Sequence, residues 1–243
     1  MKQAYRRTVS AVIEESDIVI YVLDARFVEE SRNRDVEKLI KRKKKKLIFA
    51  LTKCDLAGGS RSDLPSDITP FVRVSAKEFH GIRKLKVMIL GAVKKLNITR
   101  PRVGIVGYPN VGKSSLINAI TGRGSAPTSS RSGFTKGKQY ITAGKFLLID
   151  TPGVIPVKEG FGFKHIQLSA IPSSVDAHMA ALTLLEENPG AVEAYFEVVV
   201  QEDKEETLKE IAVKKAFLLK GGVADVNRAS EFILKLYQEG KFR

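Results

Sequence analysis

The chain carries one cysteine, Cys54, in 243 residues. A lone thiol excludes an internal disulfide framework and any zinc site built from clustered cysteines. No stretch approaches the roughly 18 successive apolar residues that a membrane-spanning helix requires, so no membrane partner is expected. The first residues, Met1-Lys2-Gln3-Ala4-Tyr5-Arg6-Arg7, are basic and lead into a polar amphipathic segment, where a secretory signal would have an apolar centre. A cytoplasmic location is the expectation, and a monomer the simplest assembly. There is no internal repeat, and the last 80 residues hold no visible catalytic cluster.

Positive charge is what the sequence has in excess. The formal net charge is +14, and it is unevenly spread. Residues 1–163 hold 31 basic and 14 acidic side chains, whereas residues 164–243 hold 10 and 13. A field as strong as that of the first part attracts polyanions, nucleic acid foremost. The alternative is that excess lysine serves solubility or surface ion pairing. The run Lys41-Arg42-Lys43-Lys44-Lys45-Lys46 suits the negative end of a helix but is longer than capping needs.

Hydrophobic patterning predicts a doubly wound α/β sheet followed by an all-helical part. Asp17–Leu23 is nearly continuous and β-branched, as in a strand buried on both faces. Further strands are predicted at Leu47–Leu51, Phe71–Val74 and Val103–Val106. A hairpin-like pair at Gln139–Thr142 and Phe146–Ile149 supplies one antiparallel edge strand and brings the total to six. Helical segments at 2–15, 34–45, 81–97 and 113–121 alternate with them. Beyond 164, helices are expected at 176–186, 190–199, 203–217 and 225–239, with Pro189-Gly190 and Gly221-Gly222 marking breaks. The expected division is therefore a domain at 1–163 and a helical domain at 164–243. In the latter, Leu208, Ile211, Phe217, Leu218, Leu219, Phe232, Ile233, Leu234 and Leu236 are the expected core. Lys214, Lys215, Lys220 and Arg228 could form a basic face for RNA.

Gly107-Tyr108-Pro109-Asn110-Val111-Gly112-Lys113-Ser114 fits the phosphate-loop pattern G-x-x-x-x-G-K-[ST] between a strand and a helix. Backbone N–H groups of Asn110 to Ser115, through Val111 and Gly112, would cradle phosphates. Lys113 would reach the β- and γ-phosphates, and the Ser114 hydroxyl would meet Mg²⁺. Asp150-Thr151-Pro152-Gly153 ends the following strand pair. Its carboxylate would hold Mg²⁺ through water, and the Gly153 N–H would contact the γ-phosphate. Thr135, in Gly133-Phe134-Thr135-Lys136, is the candidate for a second hydroxyl on Mg²⁺. Lys113, Thr135 and Gly153 are thus the candidate catalytic groups.

Thr52-Lys53-Cys54-Asp55 and Ser75-Ala76-Lys77 each follow a predicted strand. The Asp55 carboxylate would accept from N1–H and the exocyclic amine of guanine, a pattern adenine lacks. Lys53 would lie along the ring, and the Ala76 N–H would meet the guanine O6. Thr52 stands where asparagine is usual. These signatures normally come last in a GTPase. Here they precede the phosphate loop, so the order is circularly permuted.

The set resembles the circularly permuted GTPases of the YlqF/RbgA (YawG) type, which are associated with large ribosomal subunit assembly. Asp24-Ala25-Arg26 with Ser31-Arg32-Asn33, and the C-terminal helical part with Leu219-Lys220-Gly221-Gly222, carry the resemblance beyond the shared motifs. It implies GTP or GDP as ligand, Mg²⁺, and rRNA with the large subunit or its precursor as partners. Asn110 matches the asparagine of potassium-stimulated GTPases, which implies a K⁺ site. After Gly153 come Val154 and Ile155, where Ras-like enzymes have a water-orienting glutamine, so hydrolysis is expected to be slow without a partner. Bacterial members carry an N-terminal histidine implicated in hydrolysis, and residues 1–79 contain none. His80 is expected to cap the next helix and His178 to pack among helices. His165 is a weak candidate for approaching the γ-phosphate, and the water-positioning group is unassigned. Two other readings stay open: a GTP-gated RNA scaffold with incidental hydrolysis, and phosphate transfer to a small acceptor.

Overall fold

The structure, a computed structural model, describes residues 2–57, 64–122, 139–150 and 174–242. The chain divides into two compact units, Met1–Lys158 and Glu159–Arg243.

In the first unit, helix α1 (Lys2–Glu15) precedes β1 (Ile18–Asp24), α2 (Arg34–Arg42), β2 (Lys46–Thr52) and β3 (Phe71–Arg73). Then come α3 (Ile82–Leu96), β4 (Arg102–Gly107), α4 (Lys113–Thr121), β5 (Gln139–Ala143) and β6 (Phe146–Asp150). The strands form one six-stranded sheet in the order β3-β2-β1-β4-β6-β5. All pairs are parallel except β5 with β6. Every residue of β1 is buried, which explains why its sequence is an apolar run without alternation. Helix boundaries follow local chemistry. The Asn33 side chain accepts from the Asp35 N–H and starts α2, and a left-handed Gly122 stops α4. The lysine run splits: Lys41 and Arg42 close α2, Lys43 caps it, Lys44 turns with φ 52, and Lys46 opens β2.

His80 does not cap α3. Gly81 takes that position with φ 73, because a Cβ there would fall 2.1 Å from the Arg73 carbonyl.

The second unit holds α5 (Ser174–Glu187), α6 (Ala191–Phe196), α7 (Lys204–Lys214) and α8 (Val226–Gln238). Its core joins Ala177, Ala181, Leu184 and Leu185 of α5 to Ile211 of α7 and Ile233 and Leu234 of α8. Two of the expected core residues lie elsewhere. Leu218 and Leu219 are exposed, because α7 ends at Lys214 and the chain then makes a short bridge between Leu218 and Ala224 around Gly221-Gly222. The cations of the expected basic face are exposed, and three of them also make contacts within the unit. Lys214 donates to the Glu197 carbonyl at 2.9 Å, Lys215 lies 5.4 Å from the Phe196 ring centroid, and Arg228 lies 4.6 Å from that of Phe217. His178 pairs with Glu205 at 2.9 Å on the rim of this core.

Two glycines of the first unit should respond oppositely to a methyl group. On Gly104 of β4 it would meet the Ser16 hydroxyl oxygen at 2.1 Å, and that buried hydroxyl is already bonded to the Val12 carbonyl. Gly104→Ala is expected to destabilise by about 1–3 kcal/mol through overpacking. On Gly91 of α3 the methyl meets nothing within 4 Å, so Gly91→Ala should stabilise by about 1 kcal/mol. Thermal melting of the two variants would show midpoints shifted in opposite directions.

Candidate nucleotide site

Three parallel strands end side by side. Register sets Asp24 of β1 opposite Thr52 of β2, and Val22 of β1 opposite Gly107 of β4. The connections after β1 and β4 leave to opposite sides of the sheet, so their C-terminal ends frame a topological switch point, where open α/β sheets bind ligands.

The phosphate loop fills this crevice between β4 and α4. A Cβ on Gly107 would lie 2.5 Å from the Val22 carbonyl, so only glycine lets the loop leave the strand there. Asn110 (φ 55) and Gly112 (φ 94) both take left-handed conformations, folding the loop back toward the start of α4. Lys113 is buried, and its ammonium donates to the Tyr108 carbonyl at 2.5 Å. Val111 is fully buried and anchors the loop against the sheet. Ser114 is half-buried and Ser115 exposed in the first turn of α4, where helix N–H groups and the dipole favour an anion.

The residues expected to recognise the base are knitted to this loop. The buried Thr52 hydroxyl sits between two acceptors, the Leu23 carbonyl and the Val111 carbonyl of the phosphate loop. Lys53 is left-handed (φ 56) and opens a short 3₁₀ turn, Cys54–Leu56, that holds a half-buried Asp55. Cys54 donates its N–H to the Val74 carbonyl at 3.3 Å, and Val74 donates to the Leu51 carbonyl at 2.8 Å. Those two bonds carry the 75–77 segment in beside Asp55. Ser75 is buried, Ala76 half-buried and Lys77 exposed. The turn is closed by the Ser75 N–H donating to the His80 carbonyl and the Glu78 N–H donating to the Ser75 hydroxyl, each at 3.1 Å. Burial, reinforced by Asp55, raises the Cys54 thiol, which makes it a poor nucleophile.

One part of the site had no assigned role in the sequence reading. The Asp24 carboxylate is fully buried at the end of β1. It accepts from Arg26 through Nε at 2.9 Å and Nη2 at 2.7 Å, and it pairs with the Lys53 ammonium at 3.1 Å. Burial pushes this carboxyl up, yet Arg26 and Lys53 outweigh burial and hold it below its ordinary range. The Lys53 ammonium is drawn down by burial in spite of Asp24. Nearby, Ser31 accepts from the Asp24 N–H, and Arg32 is buried between Glu37 and Asp67 with Glu29 alongside. The Asn33 N–H donates to the Tyr21 hydroxyl of β1 at 2.6 Å. The segment 24–33 therefore braces Lys53 at the end of β2. The signal was present in the sequence as an acid at a buried strand end followed by arginine.

Asp150 closes β6, and its side chain lies outside the described residues, as do Thr135, Gly153 and His165. The groups that are described fit a nucleoside triphosphate: a buried ammonium, a loop that leaves its strand at a Gly107 with no room for a Cβ, a helix N-terminus, and an aspartate and an amide that could meet the base. Ser114 at the start of α4 suits Mg²⁺, a hard cation that takes hydroxyl oxygen.

Comparison with known proteins agrees with this geometry. A family profile described as 50S ribosome-binding GTPase matches residues 102–218. Ribosome biogenesis GTPase A of Bacillus licheniformis is 30% identical over 98% of this chain and 92% of its own length. The chain belongs to the YlqF/RbgA-type circularly permuted GTPases. An uncharacterized GTP-binding protein of Methanocaldococcus jannaschii is 38% identical over 99% of this chain and 66% of that protein. Nucleolar GTP-binding protein 2 of Yarrowia lipolytica is 35% identical over 95% of the chain, which spans 48% of its length. In fold, the chain resembles a GNP-bound YlqF crystal structure from T. maritima, with a TM-score of 0.60 and 22% identity over 97% of this chain and 94% of that one.

Within this family frame, Asp24→Asn removes the charge that faces Lys53. Guanine-nucleotide affinity is expected to fall at least ~10-fold in fluorescent-nucleotide titration, because a buried ammonium without its partner no longer holds its place. The acid limb of stability should change as well. A depressed carboxylate stabilises the fold above its unfolded pKa of about 3.9 and loses that contribution as pH falls through the folded value. Denaturation below about pH 4 should therefore be steeper in the native protein than in Asp24→Asn.

Proposed function

We propose that this chain is a GTP-hydrolysing switch acting in assembly of the large ribosomal subunit through rRNA or pre-ribosome binding. The observation that carries the reading is the Thr52 hydroxyl between the Leu23 and Val111 carbonyls, which makes the guanine motif and the phosphate loop one site. Relatives named for ribosome biogenesis and a strongly basic 1–163 segment support the ribosomal partner. The domain at 164–243 is proposed as a helical partner to the GTPase domain at 1–163, in a cytoplasmic monomer.

In this reading Asp55 and the Ala76 N–H select guanine, with Lys53 along the ring and Ser75 and Lys77 closing the base loop. Asn110, Val111, Gly112 and Ser115 hold phosphate oxygens through the loop and the first helical turn, and Lys113 offsets their charge. Ser114, Thr135 and Asp150 would hold Mg²⁺, whose charge when bound favours phosphoryl transfer to water. The Gly153 N–H meets the γ-phosphate, and Asn110 would serve a K⁺ ion. Val154 and Ile155 cannot orient water, so the particle completes the site and turnover alone is slow.

Lys113→Ala is expected to abolish GTP binding, and retained affinity would remove the phosphate-loop assignment. Asp55→Asn should shift preference toward xanthosine triphosphate. The functional test is GTP turnover in potassium buffer with large subunits, small subunits or neither. Stimulation by large subunits alone is the expected result. Slow turnover with every particle would favour the GTP-gated scaffold.

A further inference from the structure

Beside the base loop, the first unit has a groove of about 930 Å³ between strand β3 and the first half of α3. Its lining contains Arg73, Arg83, Lys84 and His80 and no carboxylate, although Glu78 is adjacent in sequence. Arg73 is half-buried and reaches the Ala57 carbonyl, whereas Arg83 and Lys84 are exposed and form no ion pair among the described residues. From Gly81 to Arg102 the chain has seven cations and no acid. On the exposed side of α3, Lys84 and Val87 continue through Gly91 to Lys94 and Lys95.

At the mouth stands Phe79, 66% exposed and held at φ 55. A bulky side chain in the left-handed region is strained, and an exposed ring returns little burial for that strain. Such outliers collect at binding sites. A ring flanked by unpaired cations is what an unstacked nucleobase with its phosphates requires. A peptide added to the sheet edge fits less well. Strand β3 is three residues long, and Pro70 before it has no N–H to donate.

We propose that this groove binds single-stranded RNA, with one base stacked on Phe79 and the flanking phosphates on Arg83 and Lys84. The inference rests on the RNA partner proposed above and adds its location. It also ties RNA to nucleotide recognition. Phe79 and His80 belong to the same turn as Ser75 and Ala76, closed by the Ser75-to-His80 bond.

The test is fluorescence anisotropy of the full chain with a labelled single-stranded RNA 12-mer and with a 12-base-pair RNA duplex, alongside co-sedimentation with large subunits. Phe79→Leu keeps an apolar side chain but loses the ring face. It should weaken single-strand binding ~10-fold and leave duplex binding unchanged. The double variant Arg83→Glu/Lys84→Glu should weaken both, and for the single strand flatten the salt dependence by about 0.7 per cation removed. GDP affinity of both variants should match the native chain, which shows that they are folded. Native RNA binding that survives in all variants would overturn the groove and leave the RNA partner standing. No RNA binding by the native chain, even at low salt, would overturn both. Retained oligonucleotide binding with lost co-sedimentation would make the occupant a ribosomal protein and overturn the RNA assignment.

Discussion

The Asp24 carboxylate has no exposed surface, and a buried charge persists only where cations and donors enclose it. Arg26 supplies a two-point hydrogen bond from a neighbouring backbone position, and Lys53 supplies the second positive charge from the next strand. Because Lys53 is the residue that would lie along guanine, the electrostatics of the fold and those of the ligand site meet at one carboxylate. Around it, Ser31, Arg32 and Asn33 tie the segment after β1 to Asp24, to the acids of α2 and the loop before β3, and to Tyr21 of β1.

The permuted order leaves this arrangement intact because parallel strands communicate through register, whatever their sequence in the chain. Strands β1, β2 and β4 deliver their C-terminal ends to one crevice even though the base motifs come from the N-terminal side and the phosphate loop from later. Thr52, in a position where asparagine is usual, still spans the two parts, since a buried hydroxyl between carbonyls needs no more than a short side chain. Gly112 beside it serves by its backbone, since φ 94 strains any other residue while a Cβ there would meet Thr52 only in ordinary contact at 3.7 Å.

Much of the sheet was legible in the sequence for simple reasons. The β1 run is apolar from Ile18 to Leu23 because both faces are covered, and the helix that begins at Lys113 is announced by the glycines before it. Less legible were features decided by tertiary partners. Leu218 and Leu219 read as core by composition, yet a turn built on two glycines carries them out to solvent. The ring contacts of Arg228 and Lys215, both exposed, could not be read from their spacing. Asp24 had its residue type in plain view, while its meaning depends on Lys53, which lies far along the chain and is brought close only by strand pairing.

The contiguity of β1, β2 and β3 has a consequence for how the molecule comes into being. As the chain emerges during synthesis, the three strands bearing Asp24, Thr52 and Ser75 precede β4, so β1 keeps an open edge until residues 102–107 arrive to pair with it. An unpaired edge that is apolar from Ile18 to Leu23 invites association with other chains. The same insertion that buries β1 also brings the Val111 carbonyl to Thr52. Covering the open edge of β1 and joining the phosphate loop to the Thr52 segment are thus a single event, which comes before β6 and β5 complete the sheet.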